Sequence, residues 1–330
     1  MKNNKSNIRT GVIGIGSMGQ NHARVYSEIS NLVAIADPNS EQGKLVSERL
    51  GTTWVEDYSQ ILDKVDAVSI SVPTSLHYTV AKEAISRGVN VLIEKPLASS
   101  SMEAEKILEL AENNNVVLSV GHIERHNPVV RYAKDAIKSK LWGDLIGIST
   151  RRLSPYPNRI SDVGVIFDFA IHDIDILRYL VKSEATSVYA AGGSYKHSER
   201  EDHASICINF ASGICGISEV SWLTPIKVRD ISLTFSTHFV QLNLIEQTID
   251  VFNAQSSEID EHNLFKSTFD FKKNSIKLPK EEPLMNEIVD FLNSISNSQQ
   301  PLVTGNDGYR ALTIAQASLD SMESNSLILL

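Results

Sequence analysis

The chain has 330 residues, room for about two domains and a large buried core, and its 42% hydrophobic and 22% charged residues are ordinary globular composition. Acidic residues outnumber basic ones 40 to 31, a net charge of -9, which excludes a protein built to coat nucleic acid or an anionic membrane, since either needs clustered positive charge. Two cysteines, Cys207 and Cys215, are too few for a disulfide framework or a cysteine-rich metal site, and no apolar run nears the ~18 residues of a membrane span. The expectation is a soluble, cytoplasmic protein without a metal.

The first third alternates short Val- and Ile-rich runs with amphipathic stretches. Residues 8–13, 32–36, 67–72, 89–93 and 116–120 are predicted as buried strands. Residues 18–29, 41–50, 79–87 and 101–113 carry helical spacing. That alternation predicts βαβ units and a parallel sheet with helices on both faces. After Val120 the rhythm changes. A helix is predicted over 128–138, a strand over 145–152 and a helix over about 169–181. Alternating runs at 204–210, 214–221, 228–235 and 239–245 predict an antiparallel sheet. Helices at about 283–293 and 306–322 close the chain, with Asn306 placed to cap the second. The expected division is residues 1–121 and 122–330.

Gly14-Ile15-Gly16-Ser17-Met18-Gly19 joins the first strand to the first helix. There the first glycine permits the turn, the second lets backbone approach a pyrophosphate, and the third lets helix pack on sheet. The helix start offers free N–H groups and partial positive charge to phosphates. Asp37 ends the second strand, 18 residues past Gly19. A carboxylate there accepts from ribose hydroxyls and repels a 2′-phosphate, which favours NAD over NADP; the same residue also suits a turn before Pro38.

Pro73, Thr74 and His77 follow the third predicted strand, and Glu94-Lys95-Pro96 the next. Ligands on such sheets sit beyond the carboxyl ends of strands, so both loops are expected to border one crevice. Adjacent Glu and Lys are usually a solvated pair, but Lys95, at a buried strand's end and fixed by Pro96, is better placed for function. His77 reads equally as a helix-start residue or a cofactor neighbour. Asp168 and His172 are four residues apart, one face of a helix, where a carboxylate can hold a histidine as proton acceptor. A buried, paired histidine of structural role fits the same spacing. Asp173 and Asp175 read as exposed polar positions.

With these residues in place, the chain resembles the glucose–fructose oxidoreductase/inositol dehydrogenase (Gfo/Idh/MocA) family over nearly its whole length. The resemblance rests on the glycine motif, Glu94-Lys95-Pro96 and Asp168…His172, in that order. It implies a Rossmann domain with a doubly wound parallel sheet. An α+β domain follows, with a large, mostly antiparallel open sheet that often mediates homo-oligomerisation, here as a dimer or tetramer. It implies that Lys95, Asp168 and His172 meet over the nicotinamide of NAD.

Residues 121–128, 159–165, 172–176 and 222–229 are further similar to the family's UDP-N-acetylglucosamine 3-dehydrogenase branch. That implies a UDP-sugar substrate oxidised at its 3-hydroxyl. A diphosphate calls for cations, and Arg125, Arg151, Arg152, Arg159, Lys227 and Arg229 are the candidates, with Arg125 and Arg159 ranked first. Glu124 and Asn127 lie in the same branch-like stretches and complete the expected substrate set. Another sugar, uronate or inositol dehydrogenase, or a non-catalytic NAD-binding regulator, are the alternatives.

Overall fold

The computed structural model describes residues 5–157, 163–196, 200–258 and 268–330. They form two compact units, Met1–His126 with Glu282–Thr313, and Asn127–Glu281 with Ile314–Leu330.

The first unit holds six strands, β1 (Arg9–Ile13), β2 (Asn31–Ala36), β3 (Thr53–Val55), β4 (Ala67–Ile70), β5 (Asn90–Ile93) and β6 (Leu118–Val120). Their order is β3-β2-β1-β4-β5-β6, and every pair is parallel. Between them run α1 (Ser17–Ile29), α2 (Ser40–Leu50), α3 (Ser59–Leu62), α4 (His77–Ser86) and α5 (Ser101–Asn113). This is the doubly wound dinucleotide-binding arrangement, whose order reverses between β1 and β4. Burial on both faces explains the uninterrupted apolar strands: all four residues of β4 are fully buried, Ser69 included.

The second unit carries α6 (Pro128–Lys138), β7 (Leu145–Leu153), α7 (Ile171–Val181), β8 (Ala185–Gly193), β9 (His203–Phe210), β10 (Cys215–Ser221), β11 (Val228–Phe235), β12 (Phe239–Asn243), β13 (Thr248–Glu258) and β14 (Thr268–Lys277). With the C-terminal β15 (Ile328–Leu329) these strands make a nine-stranded sheet ordered β14-β13-β12-β11-β7-β10-β9-β8-β15. Among the described residues of this sheet, β7 and β10 alone pair in parallel and the other pairs are antiparallel, as the alternating pattern predicts. Alternate residues face a buried side, where Gly216 leaves room for Leu177 of α7. The opposite side exposes Tyr189, Ile217, Phe239 and Phe271.

The division differs from two consecutive domains split after residue 121. Helix α8 (Pro283–Asn297) belongs to the first unit, because Leu284, Ile288 and Leu292 join a core with Val12, Tyr26 and Ile35. The last helix, α9 (Gly305–Ser324), begins in the first unit and ends in the second. Its cap is not the expected Asn306. The Thr304 hydroxyl accepts from the Asp307 N–H (3.2 Å) while the Asp307 carboxylate accepts from the Thr304 N–H (3.0 Å), a reciprocal capping box. No helix among the described residues is long and apolar enough to cross a membrane.

Candidate active site

The glycine motif leaves β1 and enters α1 under tight constraint. Gly14 adopts φ +87°, and a Cβ there would meet the Ser71 carbonyl at 2.7 Å. A Cβ on Gly19 would sit 1.8 Å from the Gly14 carbonyl oxygen. The first and third glycines are thus demanded by the fold. Gly16 is different: it is exposed, and a Cβ there would meet nothing within 4 Å. Its backbone is bare toward whatever occupies the cradle. Helix α1 starts at exposed Ser17 and half-buried Met18 with no side-chain cap and no acidic residue in its first turn. Its leading N–H groups therefore suit an anion. Asp37 follows β2, its carboxylate accepting from the N–H groups of Ile15 (2.6 Å) and Asn39 (2.8 Å). Each oxygen retains a further lone pair, so ribose hydroxyls remain acceptable partners. These features fit NAD.

Beyond β4, Pro73 leads into a single helical turn, Thr74–Leu76, and His77 opens α4. His77 is buried, its Nδ1 2.8 Å from the Pro96 carbonyl and its Nε2 3.0 Å from that of Val72. Burial holds its pKa below the ordinary histidine value, against the pull of those two carbonyls. The ring ties the loop after β4 to the loop after β5, a helix-start residue with a bridging role. Lys95 is half-buried at the end of β5, and the Lys95–Pro96 bond is cis.

Glu94 lies inward. Its Oε1 accepts from His22 Nε2 (2.9 Å) and its Oε2 from the Lys95 N–H (3.2 Å). Burial pushes the Glu94 carboxyl up, but the hydrogen bond from His22, with the charge and N–H of Lys95, outweighs it and holds the pKa below the ordinary value. Residues 123–126 form another helical turn containing half-buried Glu124. Arg125 there is 4% exposed, bonded to Asp307 (2.9 Å) and to the Leu302 carbonyl (3.2 Å). Its guanidinium is engaged inside its own unit.

In the second unit, Asp168 lies within a π-helical turn, Ile166–Ala170, that runs into α7. The helix expected from Phe169 thus starts at Ile171. The wider turn changes the angle between Asp168 and His172 from that of a regular helix, and single π-turns recur at functional sites. Both side chains are half-buried. Asp173 and Asp175, expected to be exposed, are 2% and 1% exposed. Asp173 accepts from Arg152 (2.7 Å) and from the Ser218 hydroxyl (3.3 Å), which anchors α7 to β7 and β10 beside His172.

The other expected substrate residues separate. Asn127 is 2% exposed: its Oδ1 accepts from the Val129 N–H (3.3 Å), capping α6, and its Nδ2 donates to the Leu244 carbonyl (3.0 Å). Arg229 is buried, donating to the carbonyls of Leu153 (2.8 Å) and Val228 (2.7 Å), with its guanidinium carbon 4.3 Å from the Phe169 ring centre. Arg152 is paired with Asp173, and exposed Arg151 with Glu219 (2.7 Å). Asn127, Arg151, Arg152 and Arg229 thus have structural partners. Lys227 is exposed between β10 and β11, and Arg159 lies outside the described residues.

Two features escaped the sequence. One is the buried row Tyr26, Ser69, His22 and Glu94, drawn from α1, β4 and the end of β5; no local pattern announces it. The other is Glu287 on α8, 1% exposed with neither carboxyl oxygen hydrogen-bonded. Burial, reinforced by the charges of Glu94 and Asp290, pushes its pKa well above the ordinary glutamate value. Helical spacing with Leu284, Ile288 and Phe291 was the available signal, since it puts Glu287 on the buried face.

Comparison with known proteins agrees with this anatomy. Residues 8–122 match the oxidoreductase family with an NAD-binding Rossmann fold, and residues 130–238 match the GFO/IDH/MocA C-terminal domain. The chain is 30% identical to UDP-N-acetylglucosamine 3-dehydrogenase of Acidithiobacillus ferrooxidans, across 93% of this chain and 95% of that protein. It is 29% identical to scyllo-inositol 2-dehydrogenase (NAD(+)) of Bacillus subtilis, across 96% and 94%. A solved structure of the Acidithiobacillus ferrooxidans enzyme superposes with a TM-score of 0.86 at 29% identity, covering 96% of this chain and 98% of that one. The chain belongs to the Gfo/Idh/MocA oxidoreductase family. It is an NAD-dependent dehydrogenase of that type.

Proposed function

We propose that the protein oxidises the 3-hydroxyl of UDP-N-acetylglucosamine to the 3-keto sugar nucleotide. The observation that carries this reading is the similarity to the Acidithiobacillus ferrooxidans 3-dehydrogenase, which runs through both units with Lys95, Asp168 and His172 present. Gly14, Gly16, Ser17, Met18 and Gly19 hold the pyrophosphate of NAD, Asp37 the adenosine ribose, and the loops at Pro73, Thr74, His77 and Lys95 border the nicotinamide. When bound, NAD⁺ supplies the acceptor for the hydride leaving the carbinol carbon. His172 takes the hydroxyl proton, and Asp168 orients its ring and supports its charged form. Lys95 donates a hydrogen bond to the reacting oxygen and stabilises the charge that develops there. Lys227, Arg159 and Glu124 are the remaining candidates for substrate contact.

A second reading is oxidation of an uncharged polyol or free sugar. It is favoured by the burial of Arg125 and Arg229, which leaves fewer cations for a diphosphate, and by the Bacillus subtilis relative. An NADH assay over UDP-N-acetylhexosamines, other UDP-sugars, inositols and free sugars separates the two. The first reading requires UDP-N-acetylglucosamine to give the highest kcat/KM; highest turnover of an inositol overturns it.

The exposed face bearing Tyr189, Ile217, Phe239 and Phe271 supports self-association into a dimer or tetramer, checked by light scattering on the purified protein. Two free thiols, Cys207 and Cys215, fit a cytoplasmic setting.

A further inference from the structure

We propose that His22 and Glu94 are positioning residues that hold Lys95 for the reaction. The proposal rests on the reading of Lys95 given above.

The row of contacts has one consistent direction. Tyr26 lies 2.9 Å from the Ser69 Oγ, Ser69 lies 2.9 Å from His22 Nδ1, and His22 Nε2 lies 2.9 Å from Glu94 Oε1. Glu94 accepts, so His22 donates from Nε2. Its Nδ1 then accepts the Ser69 hydroxyl, and Ser69 accepts that of Tyr26. Every polar atom in the row is satisfied by this assignment. Tyr26, Ser69 and His22 are fully buried, so the row ends on Glu94. The other Glu94 oxygen accepts from the Lys95 N–H.

The carboxylate therefore fixes the backbone from which the lysine side chain departs. Space is reserved for it: a Cβ on Gly121 would lie 2.9 Å from Glu94 Oε2. The charges that act here are that of Lys95 on Glu94, and those of Glu94 and Asp290 on Glu287. Burial and those two charges push the Glu287 carboxyl up, while the bond from His22 and the charge of Lys95 hold that of Glu94 down. A charged hydrogen bond inside a dry network is strong and directional, which is what placing a catalytic group demands.

The test compares His22→Asn, His22→Gln, Glu94→Gln and Lys95→Ala for kcat, KM, NAD dissociation constant and melting temperature. Glutamine at 22 keeps a donor where Nε2 stands; asparagine keeps only the group facing Ser69. The expected result is that His22→Asn and Glu94→Gln lower kcat about a hundredfold, the scale of a misplaced reacting group. NAD binding and substrate KM stay unchanged, and His22→Gln retains most of the turnover. Equal losses in both His22 variants, or weakened NAD binding with kcat intact, would overturn the proposal. If Glu94→Gln does not fold, the His22 pair decides alone. Lys95→Ala separates the two levels. If it keeps turnover, the role given to Lys95 fails. If it loses turnover while His22→Asn and Glu94→Gln keep theirs, only the positioning proposal fails.

Discussion

At the scale of single residues, the cofactor side separates groups that the fold needs from groups that a ligand needs. Gly14 and Gly19 would collide with backbone if they carried a Cβ, whereas Gly16 would not. Asp37 accepts two backbone N–H groups in the fold, and in the proposed function its remaining lone pairs take the ribose. Asp37→Ser removes charge-assisted bonds of roughly 1.5–3 kcal/mol each. The substitution is expected to weaken NAD binding about ten- to a hundredfold and to narrow the preference over NADP, read by titrating both cofactors. Unchanged NAD affinity would remove Asp37 from the site. The glycines and Asp37 were legible because their chemistry lies in local sequence. The inward course of Glu94 was not: adjacent Glu and Lys look the same whether solvated or buried, and the partner His22 lies on another element.

At the scale of elements, long periodic segments were legible and short or polar ones were not. Helices α1, α5 and α6 fall within a residue of their predicted bounds. Strand β3 has three residues and α3 four, too few to display a period. The β13–β14 hairpin is rich in Asn, Ser and Lys, so its alternation is masked. The π-turn at Ile166–Ala170 was invisible because its backbone differs from a helix without a distinct composition. The partners of the arginines were not legible for a related reason, since sequence shows a charge but not what it pairs with. Arg125 joins the turn at 123–126 to the start of α9 through Asp307. Removing one member of a buried pair costs about 3–5 kcal/mol, so Arg125→Ala is expected to lower the melting temperature markedly. A variant that melts normally but loses substrate affinity would instead make Arg125 a substrate residue.

At the scale of the whole molecule, the net charge of -9 excluded polyanionic partners without excluding a small phosphate ligand, because a helix start can supply local positive potential. Stability should also carry the mark of Glu287. Its pKa is raised in the folded protein, so above the ordinary glutamate range the unfolded chain has released a proton that the folded one still holds. The contribution of Glu287 to stability is then fullest at acid pH and falls as pH rises, by about 1.4 kcal/mol per unit, until Glu287 ionises in place. Glu287→Gln removes that slope. Denaturant midpoints of both proteins from pH 5 to 8 should converge at the acid end, apart from a constant offset, and diverge toward neutral. Parallel profiles would mean that Glu287 is ionised in the fold.

The identity of the carbon that is oxidised separates the proposed reaction from its alternatives. UDP-N-acetylglucosamine carrying deuterium at C3 of the sugar, incubated with the protein and NAD⁺, should give NADH that carries the label by mass spectrometry, together with the 3-keto product. NADH without label, or no NADH from this substrate while an inositol is oxidised, would contradict it.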